Sequence, residues 1–350
     1  MQTGKRICAL ALALALLVLC GCGAAKPAEP RGKVYYSWFD TVSYVYSYAG
    51  DSAERFNGRS AEVSHILEDY HRLFDIYHEY AGINNLCTLN RLAGGEALEL
   101  DARLIEFLLY ARDMYELTEG RMNVMLGSVL ALWHDCREAA AADPAAAAIP
   151  DGDALRAAAA HTDISLLEID PIAGTARISD PEARIDVGAL GKGYATEMAA
   201  RALEDEGVTA YVLNIGGNIR ILGDKSDGSG WVTGVRDPQA PDEGFALRLR
   251  LRDTACVTSG VYERYFTVDG ERYHHIIDPE TLCPAAYFSS LTVVTRDSGL
   301  ADALSTALFC LPLGQGMALV ESLDGVEAVW IDHEGNISLS SGAEELILQD

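Results

Sequence analysis

The run Ile185-Asp-Val-Gly-Ala-Leu-Gly-Lys-Gly-Tyr194 passes from an apolar, strand-like end through Gly188, Gly191 and Gly193 into a helical pattern. Glycines let a backbone approach a ligand closely, and the first turn of a helix offers unpaired N–H groups to an anion. Lys192 adds positive charge at the same place. The order is neither GxGxxG followed by a ribose-binding acid nor GxxxxGK[ST], so it belongs to neither a dinucleotide-binding βαβ unit nor a P-loop. Taken alone, such a run serves equally well as a structural turn.

Working outward, Ala195, Met198, Ala199, Ala202 and Leu203 mark one helix face. Glu197, Arg201, Glu204 and Asp205 take the other, which reads as solvated. Gly207 stops that helix, Tyr211 to Ile215 read as a buried strand, and Gly216-Gly217 turns the chain into a strand at Ile219 to Leu222. Asp269-Gly270 between the runs 263–268 and 271–277 is a hairpin signal. Leu300, Ala303, Leu304, Ala307, Leu308 and Leu311 give an amphipathic helix with its polar face turned away from the core. Upstream, 33–48 reads as a strand pair, and 58–76 and 101–118 as helices. The Ala-rich stretch 138–160, broken by Pro144 and Pro150, reads as a surface insertion without chemistry. Strands and helices mix without a βαβ period, so the fold class is α+β, one large two-lobed domain with mixed sheets and flanking helices.

The chain has 350 residues, 49% of them hydrophobic, and a net charge of −25. That charge excludes a nucleic-acid binder, which needs a basic face. Lys5 and Arg6 precede the apolar run Ile7 to Leu19, too short to span a bilayer but suited to an export signal. The run closes on Leu19-Cys20-Gly21-Cys22, which resembles a bacterial lipobox with Cys22 as the lipidated residue. Residues 1–21 are then a signal peptide, 22–32 a tether and 33–345 the folded domain. The expected location is the extracytoplasmic face of the cell membrane, held by a lipid anchor. The remaining cysteines, Cys87, Cys136, Cys256, Cys283 and Cys310, form no CxxC pair and read as neither a disulfide framework nor a zinc site.

Two further groups carry chemistry. Asp302 and Thr306 stand four apart on the late helix and share a face. A carboxylate and a hydroxyl side by side are hard oxygen donors of the kind Mg²⁺ takes beside substrate phosphates; Ser305 could join them through water. His274-His275 follows the Asp-Gly hairpin, and a histidine there can accept a proton near neutral pH. Strand alternation lets only one of the pair face a site. His275 is the candidate, and His274 the packed or exposed neighbour.

In order, VGALGKGYATE (187–197), VLNIGGNIRILG (212–223), TSGVYERYF (258–266), HHIIDPETLCP (274–284) and ADALSTALF (301–309) resemble the ApbE-like FAD:protein FMN transferase family. Weaker likeness runs upstream through Phe39-Asp40-Thr41, Leu73 to Tyr77, Leu89-Asn90 and Thr118 to Gly120. The resemblance implies Mg²⁺-dependent transfer of FMN from the substrate FAD to a Ser/Thr hydroxyl of an acceptor protein, such as a membrane redox subunit, with AMP released. It implies Asp302, Thr306 and the carbonyl of Ala189 as metal ligands and His275 as the group that activates the hydroxyl. Phe39, Met122, Asn123, Asp186, Lys192 and Ile276 are implied at the FAD site, with Tyr77 or Tyr80 stacking on the flavin. The family's turn glycine is replaced at Leu282-Cys283, and Asn123 stands where Asp is common. An FAD pyrophosphatase that delivers FMN to water would need the same site; a non-catalytic flavin- or solute-binding lipoprotein would not need His275 and the paired oxygens.

Overall fold

The computed structural model describes residues 29–349 apart from 241 and 243, so Cys20, Cys22 and the expected signal lie outside the described residues. In chain order the elements are β1 (Arg31–Trp38), β2 (Thr41–Ser47), α1 (Ala53–Phe74), α2 (Leu86–Arg91), β3 (Leu98–Glu99), α3 (Ala102–Leu117), α4 (Gly127–Ala142) and α5 (Gly152–Ala159). Then follow β4 (Leu167–Asp170), β5 (Thr175–Ile178), α6 (Gly191–Asp205), β6 (Tyr211–Ile215), β7 (Asn218–Leu222), β8 (Trp231–Arg236), β9 (Phe245–Leu251) and β10 (Ala255–Gly260). The last are β11 (Tyr265–Val268), β12 (Glu271–His274), β13 (Ser290–Thr295), α7 (Ser298–Phe309), α8 (Leu313–Glu321), β14 (Glu327–Ile331) and β15 (Ile337–Leu339).

Eight strands form one antiparallel sheet in the order β1-β2-β6-β7-β10-β13-β14-β15. Successive side chains of a strand point to opposite faces, and both faces here are apolar. Val257, Leu291, Val293 and Trp330 pack with α7. Ile221, Cys256, Val294 and Ile331 meet the β8–β9 ribbon on the other face. The α+β reading therefore holds.

Boundaries differ from the pattern reading where capping decides them. Ser52 caps α1 by accepting from the Arg55 N–H, so the helix starts before Gly58 rather than after it. β1 opens at Arg31, two residues inside the stretch read as tether. The supposed insertion at 138–160 begins in the middle of α4, a helix the pattern reading did not assign over 127–137. The late helix is also not half-solvated, because nearly every residue of α7 is buried.

The polar face assigned to α6 is buried at Glu197, while Arg201 and Asp205 are exposed as expected. Glu197 is buried and meets Arg220 of β7, itself 0% exposed, at 3.1 Å, while Arg220 also reaches Glu204 at 2.8 Å. Glu197 further accepts the Ser298 N–H at the start of α7, at 2.9 Å. Buried charge is tolerated only when paired and hydrogen-bonded, and the sequence of α6 does not display its partner on β7.

One turn earlier, α6 and α7 touch at Gly193, whose N–H donates to Asp302 Oδ2 at 2.8 Å. A Cβ on Gly193 would sit 2.4 Å from both Asp302 Cβ and the Ser298 carbonyl oxygen. Gly193→Ala is therefore expected to push the helices apart and cost about 1–3 kcal/mol. Thermal or urea unfolding checks this; an unchanged melting temperature would contradict such a close crossing.

Candidate active site

A single cleft of ≈ 780 Å³ gathers residues from almost every part of the chain. Phe39, Tyr77, Tyr80, Met122, Asn123, Asp186, Ala189, Lys192, His275, Ile276, Asp302 and Thr306 all line it. Residues proposed from six separated stretches thus share one space.

The first wall comes from the β1–β2 turn and the loop after α1. Trp38 pairs with Thr41, leaving Phe39 and Asp40 as a two-residue turn with φ of 53° and 50°. Such a turn favours Asn or Gly, and a bulky residue there costs about 1–3 kcal/mol, a strain that collects at functional sites. The Phe39 N–H donates to His71 Nδ1 at 3.3 Å, which holds the ring at the cleft. After α1, Asp75 accepts the N–H groups of Tyr77 and His78 and the hydroxyl of Tyr80 at 2.8 Å. Tyr80 is therefore tied down by its own hydroxyl. Tyr77 is 58% exposed and presents its ring to the cleft.

The glycine-rich bend forms the floor. The Asn90 side chain accepts the Ile185 N–H and donates to the Ile185 carbonyl, fixing the entry to the bend. Asp186 Oδ1 accepts the Gly188 N–H at 2.8 Å. Burial raises the Asp186 pKa, and the Gly188 N–H with His134, Arg137 and Arg264 opposes that rise. Asn123 has both side-chain atoms engaged, Nδ2 with the Thr162 carbonyl and Oδ1 with the Met125 N–H. It braces the loop around buried Met122, and its amide keeps a second N–H and a second lone pair beyond those bonds.

Asp302 is 5% exposed and lies beside the bend. Burial raises its pKa, while Lys192, the Gly193 N–H and the Asn218 side chain oppose the rise. Thr306, half-buried, follows one turn on, and Ala189 lies in the same cleft. Among the described residues no three His, Cys, Asp or Glu side chains group as a metal site; Asp302 brings a carboxylate and Thr306 a hydroxyl to the cleft that Ala189 also lines. A buried carboxylate short of compensating charge, next to neutral oxygens, fits a hard divalent cation. Ser305 does not belong to that set. Its hydroxyl is bound between Ser259 at 2.9 Å and the Asp302 carbonyl at 2.9 Å, on the core side of α7.

The two histidines separate clearly. β12 ends at His274, which is buried and donates from Nε2 to the Ala285 carbonyl at 2.9 Å. His275 lies past the strand end with its ring in the open cleft, and its Nδ1 is 3.2 Å from the Arg264 carbonyl. A carbonyl only accepts, so Nδ1 carries the proton and Nε2 keeps its lone pair. Enclosure by the cleft walls pulls the His275 pKa down, and Arg264 and Lys192 push the same way. The residue is still exposed to solvent, so a ligand filling the cleft would complete its enclosure.

Among the cleft residues to which the sequence reading gave no role are His134 and Arg137 of α4 and Arg264 before β11. Arg264 sits within a quoted motif without a role. His134 and Arg137 stand three apart, one helical turn, and that spacing was the available signal.

A model of the ApbE family matches residues 41–330. The FAD:protein FMN transferase of Treponema pallidum (strain Nichols) is 31% identical over 301 residues, 81% of this chain and 81% of its own. That of Klebsiella pneumoniae (strain 342) is 26% identical over 278 residues, 77% of this chain and 84% of its own. The solved ApbE protein of Thermotoga maritima aligns with a TM-score of 0.79 at 26% identity, covering 92% of this chain and 100% of its own. The flavin transferase ApbE of Vibrio cholerae, 24% identical, shares the fold at a TM-score of 0.75 over 91% of this chain and 100% of its own. Matched along the sheet, the bend and the late helix that build its cleft, the chain belongs to the ApbE family.

Proposed function

We propose that this chain transfers the FMN half of FAD to a Ser or Thr hydroxyl of an acceptor protein and releases AMP. The observation that carries the reading is the meeting, in one cleft, of a histidine with an unprotonated Nε2 and a buried carboxylate on a glycine-rich helix start. The activity named for the relatives agrees with it.

Each residue has a role in that reaction. The acceptor hydroxyl gives its proton to His275 Nε2, a contribution of about 10²–10⁴ in rate. Its oxygen bonds to the FMN-side phosphorus, the bond from that phosphorus to the bridging oxygen breaks, and AMP leaves with the bridging oxygen. Lys192, at the start of α6, holds the diphosphate by its charge. Asp186, Phe39 and Ile276 line the nucleotide, and Tyr77, whose hydroxyl is not bound as that of Tyr80 is, stacks on the flavin ring. Asp302, Thr306 and the Ala189 carbonyl would hold Mg²⁺, which neutralises charge on the diphosphate when bound.

The acceptor is read as a membrane redox subunit, and the enzyme as held at the extracytoplasmic membrane face by lipid on Cys22. The basic–apolar–Gly21-Cys22 order supports this placement. Cys22→Ser is expected to move the chain from the membrane to the soluble fraction; membrane retention of that variant would remove the anchor.

Two variants separate the chemical roles. Asp302→Ala is expected to abolish FMN labelling of an acceptor, followed by its mass, whereas wild-type labelling in that variant would refute the metal assignment. His275→Ala should slow labelling by about 10²–10⁴ with FAD still bound. Because the neutral ring is the base and its pKa is lowered, it stays competent at lower pH than an ordinary imidazole. The acid limb of kcat/KM is therefore expected below about pH 6.5, and a limb above that value would contradict the role. If wild-type protein gives free FMN and leaves acceptors unlabelled, the reaction is FAD hydrolysis.

A further inference from the structure

His134 and Arg137 lie on α4, outside every motif that points to the flavin, yet both face the cleft. Arg137 Nη2 stands 2.8 Å from His134 Nδ1. A guanidinium has no acceptor, so Nδ1 must present its lone pair and the ring proton sits on Nε2. Arginine thereby fixes both the tautomer and the plane of the imidazole. Among the described residues no protein acceptor is hydrogen-bonded to that Nε2–H. Facing the ring, at a centroid distance of 5.4 Å and an interplanar angle of 33°, is Tyr77. Tyr77 comes from the loop after α1 and His134 from α4, so two unrelated elements bring two rings together at the cleft wall.

We propose that Tyr77 and His134 form a two-ring wall for the isoalloxazine of the flavin, with Arg137 as the residue that orients His134. This rests on the flavin reading above and extends it to residues that reading does not use. The centroid spacing leaves no room for a third ring between them, so the flavin lies outside the pair, on the side that both residues present to the cleft. The fixed Nε2–H then meets a carbonyl or ring-nitrogen acceptor at the flavin edge. Arg137 does not touch the ring in this arrangement; it acts through the histidine.

The test uses the full-length protein and measures affinity for FAD, FMN and AMP by flavin fluorescence and calorimetry, with no turnover required. His134→Ala is expected to weaken FAD and FMN alike by about tenfold, the scale of one lost ring stack, with AMP unchanged. Arg137→Ala should weaken both flavins in the same pattern, and Arg137→Lys, which keeps a donor for Nδ1, should recover most of the loss. Wild-type flavin affinity in His134→Ala would overturn the proposal. So would loss of AMP affinity with FMN unchanged, which would put adenine on the wall. Failure of the wild-type protein to bind FMN at all would overturn the flavin reading beneath it, a result distinct from either.

Discussion

The cleft depends on a contact between two helices at a point where there is no side chain. At Gly193 the start of α6 lies against Asp302 of α7, joined by one N–H to carboxylate bond at 2.8 Å. That bond ties the glycine-rich bend, which carries Lys192 into the cleft, to Asp302, a buried carboxylate on the same cleft. A second tie lies one turn along, where Glu197 accepts the first N–H of α7 and is itself held by Arg220. Removing one partner from a buried ion pair costs about 3–5 kcal/mol, so the second tie keeps the crossing in register. The spacing of Lys192, Ala189, Asp302 and Thr306 follows from these two ties.

Charge is arranged against the average of the molecule. The chain carries −25 overall, yet Arg121, Arg137, Lys192, Arg236 and Arg264 balance Asp40, Asp75, Asp186, Glu263 and Asp302 along its cleft. A balanced lining within so acidic a chain opposes an anionic ligand less than the rest of the surface does. Enclosure first, and then Arg264 and Lys192, keep His275 neutral and so ready to accept a proton. An incoming diphosphate would offset them, which raises the basicity of the ring when substrate is present. Cleft electrostatics and base chemistry are thus linked through the same side chains.

Much of this was legible in the sequence, and the failures have a common cause. Local patterns located β1–β2, α3, α6, β6–β7 and the Asp269-Gly270 hairpin, because turn residues and apolar spacing act over a few residues. The motifs placed His275, Asp186, Lys192, Asp302 and Thr306 in what proved to be one cleft. Glu197 and Glu204 looked solvated because their partner Arg220 lies on another element, and Ser305 looked like a ligand because Ser259 does. His134 and Arg137 were passed over because their meaning comes from Tyr77, more than fifty residues away in the chain. Tertiary partners, which no window along the sequence can contain, decide each of these cases.

The proposed reaction requires a cation shared between the bend and the late helix, facing a dinucleotide diphosphate. Crystals grown with Mn²⁺ and FAD, measured at a wavelength where manganese scatters anomalously, examine that directly. The expected map has a strong peak within about 2.0–2.6 Å of oxygens from Ala189, Asp302 and Thr306, touching the diphosphate. A peak bound elsewhere, or ordered FAD with no metal at those three residues, would contradict it.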